Sequence, residues 1–504
     1  MSDLFITREQ AENDLLAAAA YLGERIRSSD GHSEVMNAVL PFYLARGEVD
    51  LAAELANSVN DPYSRDKLLM LVAEKCAAID DNEYAIQLSE AIEDHGLRSQ
   101  SFERVALVRA GKGDSAAALE IADTMAHPDF VIAGVAALQA ASGEMDGARS
   151  TVTAIDFPSA AVSAAQHIAA TLIESSEPEK AVEWLETAAA SAIDIEHVEE
   201  RIRTLCEIGS NFVEARRNDK AVETFDTART FAEQLDNTLR DMFLGNCALG
   251  FLSAGSPDLA DQTLDLVTDK TQMASALVGF ARDAWNKENK DDALDTLEEA
   301  YAILRSQRET ETRDSRSRNR LFNVIAVQFA GFGKTDRAVE LARENPDPAE
   351  ETDAISQIAQ VLAVQNEYEL ARQTINEIRD DGERLTSLIG LADTMTRLGR
   401  EQDEADLLNE ASELVESIPQ IATRSQILNE LSARFAAHGD TAKAEQMNLE
   451  NLELIGEVRD QSSKSVLLAN LANVAGGSQT GVLEHGGNTL LRILGSAKVY
   501  GEGQ

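Results

Sequence analysis

Lysine is scarce in this chain: only 12 of the 45 basic residues are Lys, the rest being Arg, against 88 Asp and Glu. The 504 residues carry a formal net charge of −43. Nucleic acids are polyanions whose phosphates must be neutralised by Lys and Arg, so this balance argues against a DNA- or RNA-binding role. Cysteine is also rare, with three residues, Cys76, Cys206 and Cys247, and no CxxC pair. Neither a zinc ribbon nor a disulfide scaffold is indicated, and the expectation is three buried thiols. No apolar run approaches the ~18–20 residues that a membrane span needs, so membrane insertion is not expected. The opening MSDLFITREQAENDLL has no basic stretch followed by an apolar core. It does not read as a secretory signal, and the expected location is the cytoplasm. Proline occurs only nine times, mostly between the repeats described below.

Hydrophobic residues nevertheless make up 44% of the chain, too many for a disordered acidic polymer. A dense carboxylate coat with few lysines fits a salt-accumulating cell. At 1 M salt the Debye length is only ~3 Å, and like surface charges cease to repel. The alternative is an ordinary acidic protein whose field repels nucleic acid and attracts basic partners.

One pattern fills most of the length. A Gly or other turn-forming residue is followed five positions later by Ala, as in GEVDLAAELA (47–56), GDSAAALEIA (113–122) and GKTDRAVELA (333–342). The turn positions are Gly47, Asp80, Gly113, Gly143, Ser176, Arg216, Gly255, Glu288, Gly333, Asn366, Gly399 and Gly439. The anchors are Ala52, Ala85, Ala118, Ala148, Ala181, Ala221, Ala260, Ala293, Ala338, Ala371, Ala405 and Ala444, where the copy at Gly399 carries one extra residue. Successive anchors lie 30 to 45 residues apart, a period that signals stacked helix pairs unable to bury their apolar faces alone. Seven residues before each turn sits a small residue, such as Ala73, Ala169, Gly209 or Ala359, with Leu40 the one departure. A large apolar residue usually precedes it and another often follows three later, which makes a helix face with a notch for a neighbouring helix. Some repeats end their second helix quickly. Others extend it and carry a later Ala: Ala188, Ala228, Ala300 and Ala411.

Large, small, aromatic, Gly and Ala at these offsets resemble the tetratricopeptide repeat (TPR) family over roughly residues 34 to 454. The early Trp and closing Pro of that family are mostly missing. The resemblance implies an all-α, right-handed α-solenoid of about twelve helix-turn-helix repeats, with N- and C-terminal capping helices. The boundaries read as 1–33 for an N-terminal capping helix begun by Thr7, 34–458 for the repeats, 459–475 for a C-terminal capping helix and 476–504 for a Gly-rich tail. Residues 488–498 of that tail could form a short apolar face. It reads either as a frayed end or as a docking peptide for the solenoid's own groove or a partner's.

Searches for chemistry find little. AGFGKTDR (330–337) contains GKT, but the first glycine of a P-loop is replaced by Gln328 and the preceding segment reads as helix. Seven scattered histidines show no HExxH or other ligand spacing, and no GxSxG elbow occurs. No catalytic residue, cofactor or metal is therefore expected. Trp184 and Trp285 fall beside core positions. The longest insertion, LRSQRETETRDSRSRNRLF (304–322), is locally basic, with Arg305, Arg308, Arg313, Arg316, Arg318 and Arg320. These arginines either pair with neighbouring acidic repeats or grip a partner's carboxylates through their planar forks. The TPR resemblance further implies that first helices line a concave groove. Arg203, Cys206 and Ser210, or Arg320, Asn323 and Val327, would then face inward. The family's clamp for chaperone tails uses Lys and Asn there, and no repeat has Lys at that position. The expected function is a non-enzymatic scaffold or adaptor binding a protein or peptide segment. The alternatives are a sensor solenoid occupied by its own tail and an enzyme with an unrecognised site.

Overall fold

The computed structural model describes residues 4–306, 315–345, 347–476 and 479–496, and every regular element among them is helical. The first helices are α1 (Arg8–Asn13), α2 (Leu15–Gly23), α3 (Ser29–Arg46), α4 (Val49–Asn57), α5 (Pro62–Ala78), α6 (Asn82–Ala91) and α7 (His95–Gly111). Next come α8 (Ser115–Ala122), α9 (Asp129–Ala141), α10 (Met145–Val152), α11 (Pro158–Glu174), α12 (Pro178–Ala192), α13 (Val198–Glu214), α14 (Asn218–Glu233) and α15 (Arg240–Ser253). They are followed by α16 (Pro257–Leu264), α17 (Lys270–Asn286), α18 (Lys290–Ser306), α19 (Ser315–Gly331), α20 (Thr335–Arg343), α21 (Pro348–Val364) and α22 (Tyr368–Ile375). The last are α23 (Asp381–Arg397), α24 (Glu401–Leu414), α25 (Ile421–Ala437), α26 (Thr441–Glu457), α27 (Gln461–Ala475) and α28 (Gln479–Ser496). Two compact units result. Residues 113–378 form one, and residues 1–112 together with 379–504 form the other.

The hairpins are set by their turns. All twelve turn positions have positive φ, including the five that are not glycine: Asp80, Ser176, Arg216, Glu288 and Asn366. A left-handed residue lets the chain reverse after the first helix. The next N–H donates to the carbonyl five residues back, as from Arg217 to Phe212 and from Ser256 to Phe251. That bond fixes the angle at which the second helix departs. The fifth residue after the turn is then aimed at the first helix, which is why Ala52, Ala148, Ala221 and Ala338 are wholly buried. The geometry corrects one anchor. After Gly399 the inward position falls on Glu404, not on Ala405, which is half-buried. The turn dictates register whatever residue stands there, and the Glu404 carboxylate is met by Nε2 of His438 at 2.9 Å.

L-residues in the left-handed region cost roughly 1–2 kcal/mol, part of which glycine gives back as chain entropy. Arg216→Gly and Glu288→Gly should therefore each stabilise by about 0.5–1 kcal/mol in urea unfolding, whereas Gly255→Val should destabilise by a comparable amount or more. Loss of stability in both glycine variants would contradict the turn geometry.

In unit 113–378, each first helix packs on the next first helix from α9 to α21, and the second helices α10, α12, α14, α18 and α20 each lie between their own first helix and the following one. The second helices α8, α10, α16 and α22 have 8 residues, while α12, α14 and α18 run to 15, 16 and 17. The extra turns are held by the later alanines, with Ala188, Ala228 and Ala300 fully buried.

The other unit joins the two ends of the chain. The N-terminal helix expected from Thr7 does begin there, in a capping box with Gln10, but it breaks at Asp14. The Asp14 carboxylate caps the N–H groups of Leu16 and Ala17, and its extended backbone starts α2 as a new helix. Every residue of α2 is buried. It lies along α27, which in turn packs between α25 and α3. Thus α27 takes a first-helix place and α2 the second-helix place beside it, so one hairpin is assembled from opposite ends of the sequence. The tail is helical from Gln479, nine residues ahead of the expected apolar stretch, and packs mainly on α26, with further contact to α1 and α2. Val482, Leu490, Ile493 and Leu494 are buried, His485 Nδ1 meets Glu445 at 3.0 Å, and Arg492 meets Glu453 at 2.8 Å.

Candidate functional site

The arginine-rich insertion separates into several environments. Arg308 and Arg313 lie outside the described residues. Arg305, exposed at the end of α18, sits 5.8 Å from the ring centre of Tyr301. The Tyr301 hydroxyl donates to Glu344 at 2.5 Å, and burial, then the Glu344 carboxylate, push its pKa up. Arg316 and Arg320 are exposed on α19, with Arg320 Nε 3.6 Å from Glu350. Arg318 is buried, 4.9 Å over the Phe322 ring, and bonds the Leu304 carbonyl. Arg203 is exposed on α13.

Asn323 does not face solvent. Its amide donates to the carbonyl and the carboxylate of Glu350, both at 2.7 Å, and its oxygen accepts from Asn345 at 2.8 Å. Asn345 also donates to the Asn319 carbonyl at 2.9 Å. The same arrangement recurs in the other unit, where Asn451 donates to Asn429 at 2.8 Å and to the Ser425 carbonyl at 3.1 Å. Both pairs sit at identical offsets from their turns, Gly333 and Gly439, so a buried structural amide pair was readable from the repeat alignment. A second recurring joint uses aspartate. Asp66, Asp129 and Asp241 each accept the two N–H groups that open the next first helix, Asp241 from Thr268 at 2.7 Å and Asp269 at 2.6 Å. Burial works to raise the Asp241 pKa, but these donors with the Thr268 hydroxyl and Arg240 outweigh it and hold the carboxyl below its usual value.

Solvent reaches the first helices along positions 13, 9, 6 and 2 residues before each turn. On α13 these are Arg203, Glu207, Ser210 and Glu214, all exposed. On the next three first helices they are Met242, Asn246, Leu249 and Ser253; Ser275, Gly279, Arg282 and Asn286; and Arg320, Val324, Val327 and Gly331. None of these twelve is buried, and none is Asp or Glu. In a chain with 88 carboxylates this is a distinct surface: two arginines, exposed Val324 and half-buried Met242, Leu249 and Val327. Leu249 lies flat across Gly279, whose missing side chain makes room for it. Arg282 is oriented toward α19 by Gln328, whose Oε1 accepts from Nε at 3.1 Å and from the guanidinium end at 3.0 Å. Asp283, one position off the strip, is engaged by Lys287 at 2.7 Å. Sequence reasoning placed Arg320 and Val327 on this face but missed Arg282. A column-by-column comparison of the repeats for absent carboxylates would have found it.

No family model matches the chain, and no curated protein matches it. Among solved structures, Ton1535 from Thermococcus onnurineus NA1 is 15% identical and covers 70% of this chain and 97% of its own, with a TM-score of 0.24. The TPR-like repeats of a putative kinesin light chain from Podosopora anserina are 20% identical and cover 44% of this chain and 97% of their own, with a TM-score of 0.24. At these scores the fold assignment rests on the chain's own hairpins: twelve left-handed turns, a small buried residue seven positions before all but the first, and an inward position five after each. The chain is built of TPR-like helical repeats. These repeats present first-helix surface to solvent. Among the described residues no group of three or more His, Cys, Asp or Glu is placed to hold a metal ion, and no helix is long and apolar enough to cross a membrane.

Proposed function

We propose that this chain is a non-enzymatic scaffold whose first-helix strip on α15, α17 and α19 holds an acidic, aliphatic-rich segment of a partner protein. The observation that carries this reading is the run of twelve strip positions without a carboxylate. Arg282 and Arg320 supply planar forks that match carboxylates bidentately. Met242, Leu249, Val324 and Val327 supply apolar contact between them. Helices pack ~8–10 Å apart, so an extended segment of roughly eight residues crosses all three. A preformed surface spares the binder the entropy of ordering itself, and the surrounding acidic coat repels an acidic segment everywhere else. Arg203, Arg305 and Arg316 stand outside the three-helix strip and would extend the positive field along it. The tail helix α28 lies mainly on α26, a second helix, which does not favour the reading in which the tail occupies a first-helix groove.

Fluorescence anisotropy with designed peptides tests this. The probe set is ten-residue peptides alternating Asp or Glu with Leu, Ile or Val, the same peptides with Lys for the acids, and the same with Ser for the aliphatics. The acidic-aliphatic set should bind best, and Arg282→Glu with Arg320→Glu should weaken it by about tenfold or more, equivalent to ~1.4 kcal/mol. Equal binding of the acidic and basic sets, or no effect of the double variant, would remove the basis for the reading.

A further inference from the structure

We propose that Cys206 and Cys247 form an oxidisable dithiol that, as a disulfide, staples α13 to α15. The two residues are 41 apart in sequence, yet their sulfurs lie 3.7 Å apart across neighbouring first helices. Repeat periodicity does not place them together, because Cys206 stands ten residues before its turn and Cys247 eight before its own. The latter position holds a large apolar residue in the other eleven repeats, such as Ile208, Phe280 and Ile325, and a thiol only here. The helices also approach closely one turn further on, where Gly209 and Gly250 both abut the Phe225 ring. Disulfide bonding requires an S–S distance of about 2.05 Å, so the sulfurs must close by roughly 1.7 Å, a movement within reach of a side-chain rotation.

The two thiols are unequal in a way that orders the chemistry. Cys206 is half-buried beside the solvent strip, and Cys247 is fully buried. A peroxide meets Cys206 first: the thiolate attacks one peroxide oxygen, the O–O bond breaks, and sulfenic acid and one water result. Cys247 then attacks the Cys206 sulfur. The S–O bond breaks, the oxygen leaves with the Cys247 proton as a second water, and an S–S bond forms. In sum, two thiols and one hydrogen peroxide give one disulfide and two waters. The contact with Cys206 and burial both push the Cys247 pKa up, so this second step should quicken as pH rises. The remaining thiol, Cys76, is buried in the other unit and takes no part. The staple locks the hairpins α13/α14 and α15/α16 against each other, beside the exposed face of α13 that carries Arg203 and Glu207.

The test is to treat the full chain with dilute hydrogen peroxide and read intact mass, free thiols after denaturation and peptide maps. The expected result is loss of two hydrogens, a fall from three titratable thiols to one, a linked 206–247 peptide, and recovery with dithiothreitol. Hydrogen exchange of α13 and α15 should slow several-fold in the oxidised form, and Cys206→Ser should abolish all of these changes while Cys76→Ser leaves them intact. Sulfinic acid accumulating at Cys206 without a 206–247 link, a cross-link between chains, or an unchanged thiol count would each overturn the proposal. Because it needs no peptide ligand, it stands or falls separately from the binding face.

Discussion

A chain ended before Asp460 should lose the protection of α2. With α27 gone, the nine buried residues of α2 keep mainly their contacts with α1 and α3, and the place that α27 fills between α25 and α3 becomes open. Leu15, Leu16, Tyr21 and Leu22 are at most 7% exposed in the full chain. Exposing such side chains costs ~1.5–3 kcal/mol each when complete, and partial exposure of four still amounts to several kcal/mol. The amides of Leu15–Gly23 should then exchange orders of magnitude faster, and the truncated chain should aggregate through its bared helix. Hydrogen exchange is the better measurement, because repeat proteins open locally and a single melting temperature blurs the effect. A gentler version keeps all residues: Leu468→Ala or Leu471→Ala, both on α27 and wholly buried, should cost ~2–5 kcal/mol each and loosen α2 far along the sequence. If α2 stays protected when α27 is cut away or hollowed out, the pairing of the two ends contributes nothing to stability.

That pairing also marks where the sequence stopped being informative. Each hairpin was legible because its determinants are local. A left-handed turn, a small residue seven back and an inward residue five on are contained within one repeat, and all twelve turns fell where the pattern put them. The non-glycine turns were found by offset alone, since Arg216 or Glu288 by residue type does not suggest positive φ. Register after Gly399 was misjudged because residue type was allowed to outweigh spacing: Ala405 looked like the anchor, whereas the turn places Glu404 inward, against His438. Contacts between distant segments carried no such local signal. Nothing within α2 names α27 as its partner, and nothing near Cys206 points to Cys247. Asn323 illustrates an intermediate case. On one helix it reads as a groove residue, and only its partner at Asn345, repeated at Asn429 and Asn451, shows it to be a joint between elements.

The second large effect is expected where two glycines replace bulk with proximity. Phe225, on α14, is 1% exposed and wedged between α13 and α15, with its ring edge-on to Phe251 at 6.0 Å. A Cβ on Gly209 would lie 2.6 Å from the ring, and one on Gly250 would lie closer still. Phe225→Ala should therefore cost ~3–5 kcal/mol, because both flanking backbones are held apart by the ring and neither carries a side chain to fill the void. Gly209→Ala decides whether this wedge is real. Ala is the usual notch residue in the other repeats, and Ala in a helix is favoured over Gly by ~1 kcal/mol, so consensus reasoning forecasts a gain. The ring forecasts a loss, since overpacking a rigid, enclosed aromatic costs ~1–3 kcal/mol and should outweigh the propensity term. Phe225→Leu shortens the wedge, so combining it with Gly209→Ala should recover part of that loss, a coupling of about 1 kcal/mol or more between residues 16 positions apart. Additive effects in urea unfolding, or a Gly209→Ala variant more stable than the parent, would mean that α13 and α15 do not close on Phe225 as described. The same measurement on the oxidised protein links this wedge to the thiol pair one turn away. A staple between Cys206 and Cys247 holds the two helices together, and it should reduce the penalty of Phe225→Ala by limiting how far they can part once the ring is gone.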